Sequence, residues 1–302
     1  MYSLNYLKLK NIKKYYISYL FLLPALLFIG FFFIYPAIRS LSLSFFEWNG
    51  YSEQFFVGFQ NWIKVFKDEI FHTALKNTLI YMGIVTSGVI VIGITLAAQI
   101  HNKIRGWQFY KFAFFLVTVL STIVVSLLWS NIYNPNPKQG LINNFLNLIH
   151  LDNLENLWLG NSDIALYCIT ATVIWQWAGL YMIFILSAMQ NIDENIYDAA
   201  KIDGVNNFGK LFRITLPIIK DQLIIILLVA LIATAKSFDI VWVMTGGGPG
   251  HSTQILGTYL YTVAFRYNEF GSASVIAVVI FIWGIILSLI YLNYGKFHRV
   301  GK

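Results

Sequence analysis

Lys236 and Asp239 stand three residues apart near the end of a run made mostly of Ile, Leu, Val and Ala. Ionisable groups in such a setting are costly and face a cavity or each other. At that spacing the two can share one helical face. This predicts a local ion pair, with Lys236 reaching outward along its methylene stem. The alternative is a polar wall inside a helical bundle, shared with Thr234 and Ser237, although hydroxyls in an apolar helix equally bond their own backbone. The run from Gly246 to Thr253, GGGPGHST, has the glycines of a phosphate cradle but no Gly-Lys-Ser/Thr after the spacer. It is expected to be a turn, and the chain is expected to hydrolyse nothing itself. His72, His101, His150, His251 and His298 are scattered without a metal-ligand spacing. Cys168 is the only cysteine, so neither a disulfide framework nor a thiolate metal site is expected.

The elements that must position these residues are membrane helices. The chain is 58% hydrophobic and 12% charged, with a mean hydropathy of +0.65, far from the soluble balance. Six segments reach the roughly 20 residues that a helix needs to cross a bilayer: Tyr16–Ile38, Asn77–Gln99, Phe112–Tyr133, Ile164–Met189, Gln222–Val243 and Ser272–Tyr294. The first follows Lys13 and Lys14, but its apolar run is too long for a signal peptide and no A-x-A site follows. It is expected to be retained. The net charge of +7 is spread between apolar spans, which fits basic cytoplasmic loops and not nucleic acid. With residues 1–15 inside, fourteen Lys and Arg fall on the inner side, against six outside. Both termini, including the tail 295–302, are then cytoplasmic, and so is the polar interlude 191–220.

That interlude reads as two short helices. Ile192, Ile196, Ala199 and Ala200 recur at helical spacing, and Gly204 is a natural stop. Phe208, Leu211, Phe212 and Thr215 repeat the pattern, and Pro217 fits the first turn of a further helix. With Ala199 and Ala200 on its exposed side, the element suits a groove on another protein, and Asp198 offers a carboxylate to a basic partner. Outside, Leu41–Lys76 is aromatic enough to lie along the membrane surface. A short amphipathic helix is expected near Leu141–Ile149 after the turn-rich NPNPKQG.

Asp198-Ala199-Ala200, three residues, Gly204, nine residues, then Ile214-Thr215-Leu216-Pro217 resembles the EAA signature of membrane subunits of binding-protein-dependent ABC importers. Asp198 stands where that family usually has Glu. FVGFQNW, Lys76-Asn77-Thr78-Leu79, NPKQGLINNF, FDIVWVMTGGGPG, TQILGTYLY and AFRYNEFGSAS extend the resemblance to the carbohydrate-uptake group. Within it they resemble the maltose/glycerol-phosphate-type first membrane subunit. The resemblance implies an all-α, six-span permease domain (16–294) of the type I importer fold, with a coupling helix seated in a cytoplasmic ATPase. Tyr197, Asp198, Ala199, Ala200, Asp203, Gly204, Leu216 and Pro217 would make that contact.

It also implies partners: a second homologous permease, here expected to form a heterodimer, two ATPase subunits and an extracytoplasmic solute-binding protein. The chain would hold no cofactor of its own; ATP and Mg²⁺ would sit in the ATPases. The setting would be a bacterial or archaeal cytoplasmic membrane, with lipid around the spans. The cargo would be a sugar, more particularly an oligosaccharide. In relatives that resemble this chain the fourth and fifth spans line the sugar site, which points to Trp177, Tyr181, Thr234, Lys236, Ser237 and Asp239. The stretch Trp175, Gln176, Trp177, Gly179, Tyr181 offers the aromatic faces and polar groups that sugars use, although Trp and Tyr also gather in interfacial belts. Glycerol-phosphate or another polar solute is the nearest alternative cargo. An ion-coupled secondary transporter would place acidic residues in several spans, and only Asp239 comes close.

Overall fold

The computed structural model describes residues 16–299, so the expected tails 1–15 and 300–302 lie outside the described residues. Its helices are α1 (Tyr16–Ile29), α2 (Tyr35–Leu43), α3 (Gln60–Lys67), α4 (Glu69–His101), α5 (Trp107–Val119), α6 (Thr122–Ile132), α7 (Leu141–Leu148) and α8 (Ala165–Gln190). They continue with α9 (Glu194–Ile202), α10 (Asn207–Ile218), α11 (Lys220–Ala235), α12 (Asp239–Thr245), α13 (Leu256–Tyr261) and α14 (Phe270–Arg299). A two-stranded antiparallel hairpin pairs β1 (Phe46–Glu47) with β2 (Phe55–Phe56), Phe46 opposite Phe56. The fold is helical, as the composition requires: in lipid each backbone N–H and C=O must find a partner within its own helix.

Two compact units divide the chain. The first takes in the described residues up to Val65 together with Val263–Val278. A π-helical turn, Gly30–Ile34, joins α1 to α2, making one apolar span of Leu20–Leu43. Within Leu41–Lys76, Phe55, Phe56 and Phe59 are exposed. Asn61 of the FVGFQNW motif is buried and its amide donates to the Ser44 and Phe46 carbonyls at 3.1 and 2.9 Å. This ties α3 to the strand that follows α2, while Lys64 pairs with Glu269 at 2.6 Å.

The second unit comprises Phe66–Thr262 and the described residues from Val279. Its axis is α4 packed along α8. Val85 and Val89 of α4 and Ile169, Met182 and Ile185 of α8 are buried between them. At 33 residues, α4 is about 50 Å long, more than the roughly 30 Å hydrocarbon core. The expected second, fourth and sixth spans are continuous helices.

The third and fifth are not. Phe112–Tyr133 is cut at Leu120 and Ser121, both extended, and α5 meets α6 at a bend of 100°. A break in an apolar span leaves carbonyls without helical partners. Gln176 of α8, fully buried, supplies one: its Nε2 donates to the Leu120 carbonyl at 3.2 Å and to Thr122 Oγ1 at 3.3 Å. Thr118 Oγ1 donates to the Gln176 carbonyl in return, at 3.2 Å. Gly179, one turn on, brings α8 against α5, where an added Cβ would lie 2.0 Å from the Phe114 carbonyl oxygen. Gly179→Val is therefore expected to destabilise the protein by about 3 kcal/mol, at the upper end of overpacking costs. Thermal unfolding in detergent checks this, and a melting temperature equal to that of the wild type would refute the contact.

The expected fifth span, Gln222–Val243, ends early. α11 stops at Ala235 and α12 starts at Asp239. With 16 residues, α11 reaches about 24 Å. At its start it turns 78° away from α10. Beyond α12 the TGGGPG run is a closed turn. Thr253 Oγ1 donates to the Gly248 carbonyl at 2.7 Å and lies 2.7 Å from Thr245 Oγ1.

Candidate functional site

One cavity of about 380 Å³ opens where α4, α8, α11 and the break after α11 meet. The helical period explains its lining. Val173, Trp177, Tyr181 and Phe184 fall on one side of α8 and face it, whereas Gln176 and Gly179 face the broken third span. From α4 come Tyr81, Val85 and Val89, again four residues apart. Thr234, Lys236, Ser237 and Asp239 complete the wall. All six residues expected to line a path thus meet at one cavity.

Their arrangement differs from the expected ion pair. Lys236 is the cap of α11 and Asp239 the first residue of α12, so no shared helical face exists and the two do not pair. Both are exposed, and Lys236 lines the cavity instead of extending away from it. The Thr234 hydroxyl donates back to the Ala230 carbonyl at 2.9 Å, leaving its lone pairs as acceptors. Tyr81 donates to Ser237 Oγ at 3.0 Å, fixing the loop between α11 and α12. Phe238 stacks on Trp242 with ring centroids 5.6 Å apart. Tyr81 and Thr122 also line the cavity and were not evident from sequence. Tyr81 has one signal, a four-residue spacing to Val85 and Val89; Thr122 has none, because its position depends on the bend.

A second arrangement lies at the far end of α8. Asp193 caps α9 by accepting from the Asn195 N–H at 2.9 Å, and Gly204 closes the helix with φ +71°. That conformation suits Gly, which has no Cβ to clash. One edge of α9 is sealed. Ile192, Tyr197 and Ala200 are buried, and the Tyr197 hydroxyl lies 3.2 Å from Thr215 Oγ1 of α10. Burial pushes the Tyr197 phenol up, partly offset by that hydrogen bond. Lys210 of α10 sits over the Tyr197 ring, 4.6 Å from its centroid, and donates to Asn102 Oδ1 at 2.9 Å. Burial first, then the charge of Lys201, holds Lys210 below the usual lysine value.

The opposite edge is bare. Asp198, Ala199, Asp203, Gly204 and Pro217 are exposed, and Leu216 is half-buried. The expected exposed Ala pair is split, since Ala200 packs inward beside Tyr197 and only Ala199 faces out. Asp198 forms an exposed pair with Lys201 at 3.1 Å. Around them Ile202 and Phe208 are 87% and 70% exposed, and Phe208 lies against Phe212 with centroids 4.4 Å apart. Thr215, Lys210 and Asn102 hold the element in place, and only tertiary structure reveals them.

The model of the family described as "Binding-protein-dependent transport system inner membrane component" matches residues 89–296. A probable ABC transporter permease protein of Bacillus subtilis is 36% identical over 289 residues, covering 95% of this chain and 97% of that one. The lactose transport system permease protein of Rhizobium radiobacter is 34% identical over 286 residues, covering 93% and 95%. Among solved structures, a bacterial ABC transporter that imports the acidic polysaccharide alginate matches with a TM-score of 0.80 at 23% identity, covering 96% of this chain and 97% of the matched one.

Proposed function

The chain belongs to the inner membrane components of binding-protein-dependent transport systems, and from that premise we propose that it is the permease through which a sugar, more particularly an oligosaccharide, is imported. The observation that carries the cargo reading is the single cavity in which Trp177 and Tyr181 meet Thr234, Ser237, Lys236 and Asp239. Aromatic faces cover the C–H surface of a sugar ring, and hydroxyl, carboxylate and ammonium groups match its hydroxyls. Lys236 and Asp239 balance in charge, which suits a neutral polyol better than a phosphate-bearing solute.

The bare edge of α9 is the ATPase contact in this reading. Large apolar side chains such as Ile202 and Phe208, exposed beside charged residues, suit a surface covered by another protein. The excess of basic residues on the 191–220 side makes that side cytoplasmic, with both termini. A single such element engages one ATPase, so a homologous permease carries the other, and a heterodimer is the expected pairing. ATP and Mg²⁺ are held by the ATPases, and nucleotide binding there would draw α9 and rock the spans. The solute site would then open to alternate sides.

Uptake by the assembled complex in proteoliposomes, supplied with its binding protein and radiolabelled sugars, tests the cargo. Tyr181→Ala is expected to raise the half-saturating sugar concentration about tenfold, the effect of losing one aromatic platform, with ATPase co-purification unchanged. Wild-type kinetics in that variant would remove Tyr181 from the site.

A further inference from the structure

A larger cavity, about 580 Å³, lies beside α9, and the transport reading uses only Tyr197 and Asp198 of its lining. It is bounded by the loop after α4, the end of α8 and residues of α9 and α10. Lys103, Lys201 and Lys210 converge on it, with the amide side chains of Asn102 and Asn207 and the indole of Trp107. Glu194 and Asp198 also face it, but Asp198 is engaged by Lys201 at 3.1 Å. Lys210 has no carboxylate within ion-pair distance among the described residues; its ammonium donates to the Asn102 amide oxygen.

Lys103 sits in the left-handed region at φ +53°, a conformation that costs a non-glycine residue energy and clusters at functional sites. Trp107, the first residue of α5, lines the same cavity, and Trp is a residue enriched at membrane interfaces.

We propose that this cavity binds a phosphate-bearing anion, held between Lys210 and Lys103 with the Asn102 and Asn207 amides, at the root of the ATPase-coupling element. The phosphate can come from an anionic lipid headgroup entering past Trp107, or from a soluble phosphate ester. Either would complete the coordination of Lys210, a cation already held below its usual pKa by burial and by Lys201. Because Lys210 also covers the Tyr197 ring, occupancy would stiffen the joint between α9 and α10. The proposal rests on the cytoplasmic placement of α9 argued above.

The test uses the complete complex in nanodiscs of phosphatidylcholine, with and without phosphatidylglycerol. Retained lipid is counted by native mass spectrometry, and glycerol phosphate is titrated into the lipid-neutral discs. Retained phosphatidylglycerol identifies a headgroup, and saturable glycerol phosphate binding a soluble ester; either supports the site if Lys210→Gln and Lys103→Glu each weaken it about tenfold, the loss of one charge-assisted contact. Lys103 is on the loop, so its variant remains informative if Lys210→Gln folds poorly. Binding of neither probe, or equal binding by both variants, overturns the proposal. ATP-driven uptake is read in parallel: a complex that transports without binding the anion refutes only this site. One that binds the anion but never transports refutes the permease reading.

Discussion

Asp198→Lys abolishes ATP-driven uptake while the protein still inserts and folds. The carboxylate is exposed and its pair with Lys201 is between two exposed side chains, so losing it costs the fold no more than about 1 kcal/mol. At an interface the reversal has a different scale. Like charges brought together on docking cost several kcal/mol, and uptake is expected to fall by about a hundredfold or more. Co-purification with the ATPase subunits should fall with it. Asp198→Glu, which restores the group usual at this position in the family it resembles, should retain uptake. Normal transport by the lysine variant would remove α9 from the coupling role.

Thr234→Trp is expected to cut uptake at least about tenfold by the opposite route. Thr234 is buried at the wall of the 380 Å³ cavity, and an indole there occupies the space the solute needs. Overpacking adds about 1–3 kcal/mol of destabilisation, so melting temperature is measured alongside. Association with the ATPases and basal hydrolysis should be unchanged, the reverse of the Asp198→Lys outcome. Thr234→Ser keeps the hydroxyl and is expected to transport nearly normally. Undiminished uptake in the tryptophan variant would mean that solute passes elsewhere.

The long spans were legible because hydropathy and length alone define them: α4, α8 and α14 lie where the apolar runs lie. The two breaks were not. Neither Leu120–Ser121 nor Lys236–Phe238 contains Gly or Pro, and hydropathy barely falls across the first. The amide that serves its open carbonyl belongs to Gln176, 56 positions away, and a local pattern cannot register a partner at that distance. Trp177 and Tyr181 were reached through the family resemblance and their residue types, and their four-residue spacing places both on the cavity side of α8. Tyr81 was missed because its partner Ser237 is 156 residues distant. The Ala199–Ala200 pair misled for a related reason: two small neighbours on a helix point about 100° apart, so a buried Tyr197 edge takes one and leaves the other out.

The corner between α5 and α6 has a consequence for biogenesis. A chain emerging from the ribosome presents Leu120 56 residues before Gln176, so the donor for the bent carbonyl enters the bilayer after the third segment. Until α8 arrives, that segment must insert as an uninterrupted rod or wait where water can serve the carbonyl. The sharp turn therefore has its amide donor only once the following membrane segment is in place.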